Sequence, residues 1–179
     1  GDAAIYLGAE PKFSIADALE NIHRLDGAFL KGLCVKTKAG PELLASPDRN
    51  LALPVDAGRV RTLIDAAARN YKFVVLDLCR TDPAVLDGLD SVKKVVVIAN
   101  QELATVRAAS RMAVTLNQRY GKDRVEVAVS RYDPNAGILQ SDIERVVGSR
   151  IRYLLPSDYR VALEALNTGG DGYNALGRH

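Results

Sequence analysis

Long apolar runs with little alternation recur along the chain and predict the strands of a sheet. They are rich in Val, Ile and Leu, which is typical of parallel strands covered on both faces. The four runs are Phe73–Leu78, Val95–Ala99, Val125–Val129 and Ile151–Leu155. Two shorter runs, Leu33–Thr37 and Glu42–Ala45, predict a hairpin or sheet edge that turns around Ala39–Pro41.

Stretches with helical periodicity separate these runs. A helix is expected to begin after Ser14, and others span Asp56–Asn70, Glu102–Tyr120, Ser141–Val147 and Asp158–Asn167. The alternation of strands and helices predicts an α/β domain with a mostly parallel sheet. Right-handed crossovers then place helices on both faces of that sheet. We expect one domain over residues 1–179, with the glycine-rich stretch 168–179 as a flexible tail.

Composition narrows the class of protein. Apolar residues make up 47% of the chain and charged residues 26%, the balance of a soluble globular protein. The formal net charge of +2 gives no strong field toward nucleic acid or anionic lipid. Cys34 and Cys79 sit in or beside apolar runs and are interpreted as reduced packing residues of a cytosolic protein. Neither His23 nor His179 belongs to a cluster with metal-ligand spacing.

Polar residues follow each of the four long runs. Because ligands of parallel α/β sheets bind beyond the carboxyl ends of the strands, these positions are candidates for a site. The segments are Asp77–Asp82, Asn100–Glu102, Ser130–Asp133 and Pro156–Asp158. The alternative is that they are ordinary loops, which are polar whether or not they bind anything.

Asp77 is the most specific of these candidates. A carboxylate that ends a buried strand is costly unless a charged or hydrogen-bonding group meets it. An apolar strand that ends in Asp resembles the Walker B strand of P-loop ATPases, whose carboxylate orders Mg²⁺. The alternative is that Asp77 caps the following helix or pairs with Arg80.

One motif is missing from the sequence. No G-x-x-x-x-G-K-[ST] run occurs, and the lysines at 36, 38, 93 and 94 lack the glycine context of a phosphate-binding loop. These 179 residues therefore cannot form a complete P-loop ATPase, and we expect them not to hydrolyse ATP.

Five segments, in order and spacing, resemble the MinD/ParA-type ATPase domain of the Flp (Tad) pilus assembly family, CpaE/TadZ. FVVLDLCRTD resembles its Walker B strand, and VVVIANQELATVRAASRMAVTLN resembles the next strand and helix. SRYDPNAGILQSDIE takes the place of an Asn-Arg-Tyr-Asp run, and LPSDYRVALEALNTG resembles the last strand, the nucleotide-covering loop and its helix. GDAAIYLGAEPKFSIADALEN resembles the segment after the family's second aspartate motif.

This resemblance implies a P-loop NTPase-like fold that binds ATP and Mg²⁺. Asp77 would be the catalytic and metal-binding carboxylate. The residues implied at the nucleotide are Ser130, Arg131, Pro156, Ser157 and Asp158. Cys79 stands where such proteins commonly have Pro, and Ser130 where they commonly have an Asn that reads adenine. A serine is shorter and does not offer the paired donor and acceptor of an amide.

The implied function is an ATPase-like localisation protein of a pilus or secretion system. It would be cytoplasmic, at the cell pole or the inner face of the membrane, and would act through nucleotide-biased homodimers and machinery partners. No nucleic acid is expected as a partner, and membrane association only through other proteins. The alternatives are a pseudo-ATPase scaffold with the same fold, and an unrelated α/β enzyme.

The resemblance also carries an expectation about the start, GDAAIYLGAEPKF. The family's phosphate-binding loop, its helix and its second strand would all precede Gly1. The other possibility is that the parent lineage has no working P-loop.

Overall fold

The computed structural model describes residues 3–38, 40–47, 56–78 and 86–168. Cys79, Arg80 and the expected tail beyond residue 168 lie outside these ranges. The chain divides into two compact units, residues 1–91 with 160–179, and residues 92–159. The first is mainly helical and the second holds the parallel sheet. The interpretation of residues 1–179 as one domain remains a prediction.

The helical unit is built from short amphipathic elements. In chain order they are α1 (Ala3–Tyr6), α2 (Ile15–Glu20), a 3₁₀ turn (Ile22–Arg24), α3 (Gly27–Leu33), β1 (Val35–Lys36), β2 (Glu42–Leu43) and α4 (Ala57–Asn70). Its core is formed by small and branched side chains from α2, α3 and α4, including Leu19, Leu30 and Leu63. Burial of these side chains, rather than helix propensity, stabilises helices this short.

Local polar side chains determine where these helices begin. Ser14 and Asp17 form a capping box at the start of α2. The Ser14 hydroxyl oxygen accepts from a backbone N–H of the first turn, and the Asp17 carboxylate accepts from the Ser14 N–H. Asp26 caps α3 by accepting from the Phe29 N–H at 2.7 Å, and Asp56 caps α4. The predictions of a helix after Ser14 and of one over Asp56–Asn70 are confirmed.

The predicted hairpin is also confirmed. β1 and β2 pair antiparallel, with Val35 opposite Leu43 and Lys36 opposite Glu42. The Thr37 N–H and hydroxyl both donate to the carbonyl of Pro41, which closes the connection.

The predicted strand over Phe73–Leu78 is not formed. This segment has no regular secondary structure, and the side chains of Phe73 and Val75 are 82% and 93% exposed. A strand exists only through backbone pairing, and no strand in the described ranges pairs with this segment. An apolar run alone was therefore not sufficient to make a strand here.

The second unit contains a three-stranded parallel sheet in the order β3 (Val95–Asn100), β4 (Val125–Tyr132), β5 (Tyr153–Pro156). β3 and β4 are in register from Val95 opposite Val125 to Asn100 opposite Ser130. The three remaining strand predictions are confirmed with small changes of bounds. So is the α/β class with a parallel sheet.

Helix α5 (Leu103–Tyr120) connects β3 to β4 and packs against both. It buries Val106, Ala109, Ala113 and Leu116, and the sheet side chains buried with them include Val97 and Ala99. The alternate side chains of β3, Val96 and Ile98, are 45% and 57% exposed because they point to the opposite face. Helix α6 (Gln140–Val147) packs on α5. Helix α7 (Tyr159–Thr168) follows β5 in the chain, and its residues from Arg160 onward are grouped with the first unit.

Candidate functional site

The carboxyl ends of β3, β4 and β5 meet at one edge of the parallel sheet. We call this the carboxyl edge and define it as Asn100–Gln101, Ser130–Asp133 and Pro156–Asp158. Pairing aligns its members, since Asn100 lies opposite Ser130 and Tyr132 lies opposite Pro156. The structure therefore brings together all five residues predicted at the nucleotide, which come from two different strands and the loops behind them.

Gln101 holds two loops of this edge together. Its side-chain amide donates to the carbonyls of Asp133 at 3.0 Å and Ile138 at 2.6 Å. Its Oε1 accepts from the Asp133 N–H at 2.7 Å. One side chain thus satisfies three backbone groups of the loop after β4 and fixes the position of that loop relative to β3.

Asn100 and Ser130 form a hydrogen-bonded pair at adjacent strand ends. The Ser130 hydroxyl donates to Asn100 Oδ1 at 2.8 Å, and the carbonyl of Ala99 lies farther from it, at 3.4 Å. The backbone of Asn100 is itself held, because its carbonyl accepts from the Thr105 hydroxyl at 2.8 Å and from the Glu102 N–H at 2.8 Å. Both side chains are half-buried.

Arg131 has an unusual backbone. Its φ is +54°, in the left-handed region, and the register of β4 against β5 shifts between Val129 and Tyr132. A bulge of this kind turns a side chain away from the regular strand direction. The Arg131 side chain is exposed, and no ion pair within the described ranges engages it. Strain of this kind clusters at functional sites.

The turn after β5 completes the edge. The Ser157 N–H donates to the carbonyl of Tyr132 at 3.1 Å, which ties the turn to the end of β4. The Asp158 N–H donates to the carbonyl of Pro156 at 3.2 Å. Pro156 and Ser157 are exposed and Asp158 is half-buried.

Asp77 belongs to the other compact unit. It is exposed, within the irregular segment that was predicted to be a strand. Its role as a metal-binding carboxylate therefore remains a prediction. Among the residues that the structure describes, no three His, Cys, Asp or Glu side chains converge to hold a metal ion.

The groups with shifted pKa values lie outside the carboxyl edge. The pKa of Glu144 is lowered, first because the Ile151 N–H donates to it and then because the Gln140 amide does, both at 3.0 Å. The pKa of Glu126 is lowered chiefly by the hydrogen bond from Lys94 at 2.7 Å. Burial raises the pKa of the Cys34 thiol, which makes it a weak nucleophile. Burial, followed by the hydrogen bond to Glu42, raises the pKa of Tyr71.

The donors at the carboxyl edge are of kinds that contact both nucleobases and phosphates. An amide, a hydroxyl and a guanidinium lie there, and such groups hydrogen-bond and stack on bases. The sequence offers no glycine-rich backbone cradle for phosphates. Mg²⁺ in nucleotide sites is commonly bound through only one or two carboxylates, with the phosphates and water completing its shell.

The sequence places Asn100 and Gln101 among the candidate positions that follow the strands, but it gives neither of them a role. The spacing becomes informative only once the register of the two strands is known. The runs that begin at Val95 and Val125 are parallel neighbours, so an in-register pairing places residue 100 beside residue 130.

None of the helices in the described ranges is both long and apolar enough to cross a bilayer.

Comparisons with known proteins place the fold. No protein-family model matches the sequence, and no curated protein matches it significantly. Among solved structures, a ParA family ATPase from Chlorobium tepidum superposes with a TM-score of 0.88 at 24% identity, over 100% of this chain and 76% of that one. The second match is MinD of Aquifex aeolicus in a complex with MinC, with a TM-score of 0.75 at 20% identity, over 94% and 68%.

A third match is the cell division ATPase MinD of Pyrococcus furiosus. Its TM-score is 0.76 at 15% identity, over 99% of this chain and 74% of that one. This chain therefore has the α/β fold of the MinD/ParA-type P-loop ATPases.

Proposed function

We propose that this chain is part of an ATPase-like localisation protein that positions a Flp/Tad pilus or a related secretion machine on the cytoplasmic side of the cell. The observation that carries the proposal is the superposition of the whole chain on a ParA family ATPase. The clustering of polar groups at the carboxyl edge supports it, since this is where nucleotides bind in parallel α/β folds.

At this edge the chain's own residues would hold the base end of ATP. Arg131 projects from its bulge, and the turn at Pro156–Asp158 lies beside it on the neighbouring strand. Ser130 precedes Arg131 in β4 and is hydrogen-bonded to Asn100 of β3. Mg²⁺, when bound, neutralises charge on the phosphate oxygens, and Asp77 is the carboxylate proposed to hold it.

The groups that grip the phosphates are proposed to come from outside these 179 residues. Three observations support this. The sequence has no P-loop motif, the apolar segment Phe73–Leu78 finds no partner strand within the described ranges, and the matched structures extend beyond the part that this chain covers. Nucleotide would then favour a homodimer that recruits machinery proteins.

A second candidate is a pseudo-ATPase scaffold that has the same fold and acts through its surfaces alone. Ser130, in the place of the expected Asn, favours it, as does the absent P-loop motif. The two candidates differ in one property, which is whether nucleotide changes the assembly of the protein.

The experiment uses the longest natural polypeptide that contains this chain. ATP binding, ATP hydrolysis and dimerisation are measured with and without Mg²⁺. The ATPase proposal expects hydrolysis that Asp77→Ala abolishes and that Asp123→Ala, an exposed aspartate in the turn before β4, leaves unchanged. Dimerisation that is indifferent to ATP supports the scaffold instead. Hydrolysis that survives Asp77→Ala contradicts the role given to that residue.

A further inference from the structure

We propose that a cavity between α2 and α3 is a docking site for an arginine side chain of a partner protein. The cavity is formed within the helical unit and has a volume of about 400 Å³. Clefts that bind ligands commonly have volumes of this size and apolar walls with a few polar groups. Here the wall is apolar apart from Asp17 and Asn21. The inference needs no nucleotide, so it does not depend on the proposed function.

Two side-chain oxygens of the cavity have no hydrogen-bond donor in the described part of the chain. Asp17 uses Oδ2 for both of its bonds, which come from the Ser14 N–H at 2.8 Å and the Ser14 hydroxyl at 3.2 Å. Its Oδ1 is left over. Asn21 donates from Nδ2 to the carbonyl of Asp17 at 3.0 Å, which leaves its own Oδ1 to accept. The cavity therefore offers two acceptors to a ligand.

Two aromatic side chains also line the cavity. Phe13, which precedes α2, is 46% exposed, and Phe29 on α3 is half-buried. The face of a phenylalanine ring attracts a cation, and among protein side chains arginine is the cation that is found there more often.

These groups complement a guanidinium. Carboxylate and amide oxygens accept hydrogen bonds, and the guanidinium has five N–H donors and no acceptor. Because it is planar, it can stack on a ring while its edge donates to the oxygens, which a lysine ammonium cannot do. Lys12 and Lys31 lie on the same segments, but no basic residue of the described chain lines the cavity.

Gly32 makes it possible to distinguish a binding cavity from an accidental depression. It lines the cavity within α3, and a Cβ at this position would meet no atom within 4 Å. Gly32→Leu should therefore fill the cavity without a clash. Leucine is also a better helix former than glycine, so the variant should have a Tm no lower than that of the wild type. Unfolding would then not explain a loss of binding.

The test titrates the ¹⁵N-labelled 179-residue chain with N-acetyl-arginine amide by NMR. We expect a Kd on the order of 1 mM, with shifts of the Phe29 and Gly32 backbone amides and of the Asn21 side-chain amide. N-acetyl-citrulline amide, in which a neutral urea replaces the guanidinium, is the matched control ligand. It should bind about tenfold more weakly. The corresponding lysine derivative should also bind more weakly than the arginine derivative.

Three variants make the result specific. Asp17→Asn keeps an oxygen for the Ser14 N–H and removes the charge, so it should weaken arginine binding about tenfold. Asp56→Asn, the same change at the aspartate that caps α4, should leave binding unchanged. Gly32→Leu should abolish binding.

Several results would overturn the inference. Equal binding of the arginine and citrulline derivatives would do so, as would binding that survives Gly32→Leu or Asp17→Asn unchanged. Shifts of the same resonances when the chain alone is concentrated would identify a second copy of this chain as the occupant. If N-propylguanidinium binds about tenfold more tightly than N-acetyl-arginine amide, the cavity excludes a peptide backbone and takes a free small molecule instead.

Discussion

At the scale of single residues, Arg131 shows how this edge departs from ordinary strand geometry. Among the described residues it is the one non-glycine with a positive φ. A left-handed conformation costs a residue with a Cβ roughly 1–2 kcal/mol, and glycine escapes that cost. An arginine at a position that suits glycine is consistent with a function for its side chain.

A matched pair of substitutions measures that strain. We expect Arg131→Gly to be more stable than Arg131→Ala by about 1 kcal/mol, because both remove the guanidinium and only alanine keeps the Cβ clash. Urea unfolding monitored by circular dichroism gives the difference. Equal stability of the two variants would show that the left-handed backbone is not imposed on this position.

Asn100 and Ser130 show why a contact between residues distant in the sequence is hard to predict. Each residue was visible at the end of an apolar run, but neither suggested a pair, because residues 30 apart have no local pattern that relates them. Only the register of β3 with β4 makes them neighbours. Arg131 was expected at the site from resemblance, while its bulge had no signal in the letters RYD.

At the scale of elements, strands and helices were predictable wherever a local signal and a tertiary partner agreed. The run Val95–Ala99 became a strand because β4 pairs with it, and the helix after Ser14 formed with the help of a capping box. The segment Phe73–Leu78 also begins with an apolar run but has no pairing partner among the described strands, and it remains irregular. Apolar composition reports a tendency to be buried, and pairing decides whether a strand results.

Helix α3 was not predicted, because its local signal in the sequence is weak although its packing partners are present. Residues 27–33 include two glycines and lie between polar turns, so the helical periodicity is short. The Asp26 cap and the burial of Leu30 and Leu33 against α2 and α4 stabilise it. Such burial is visible only once the three helices are packed.

The connection between α6 and β5 depends on an ionised glutamate, which makes it sensitive to acid. The N–H of Ile151 and the amide of Gln140 donate to Glu144, and they lower its pKa below the ordinary value of 4.5. Its contribution to stability is therefore fully present above pH 4.5 and is lost as the pH falls through the lower folded-state pKa.

Glu144→Gln should consequently destabilise the chain at neutral pH, and its stability should converge on that of the wild type in acid. Unfolding free energies measured between neutral pH and the acid limit of folding give both curves. Glu20→Gln, an exposed glutamate at the end of α2, is the control and should follow the wild type throughout. A constant difference at every pH would contradict the account of Glu144.

At the scale of the whole molecule, exposed apolar surface accompanies unpaired backbone. β3 pairs with β4 on one side, no described strand pairs with its other side, and Ile98 is 57% exposed on one face of it. In the other unit Phe73 and Val75 are more exposed still. Surfaces of this kind associate with other chains unless a charge or a covering element prevents it.

We therefore expect the 179-residue chain to self-associate at micromolar concentrations, as species with exposed strands and apolar surface do. Ile98→Lys should weaken this association, because it places a charge on the exposed side of β3. Sedimentation velocity over a range of concentrations measures the effect. Val114→Lys on α5, whose side chain is 51% exposed, is the matched control. A monomeric wild-type chain with a high Tm would contradict this expectation.

The most direct test of the account is hydrogen–deuterium exchange on this chain with and without ATP and Mg²⁺. We expect slower exchange at the three segments of the carboxyl edge, residues 100–101, 130–133 and 156–158, with no change in α2 and α3 and no hydrolysis of ATP. Three results would contradict this expectation. They are protection confined to other segments, no protection at any ATP concentration up to saturation of a millimolar site, and ATP turnover by this chain alone that Asp77→Ala abolishes.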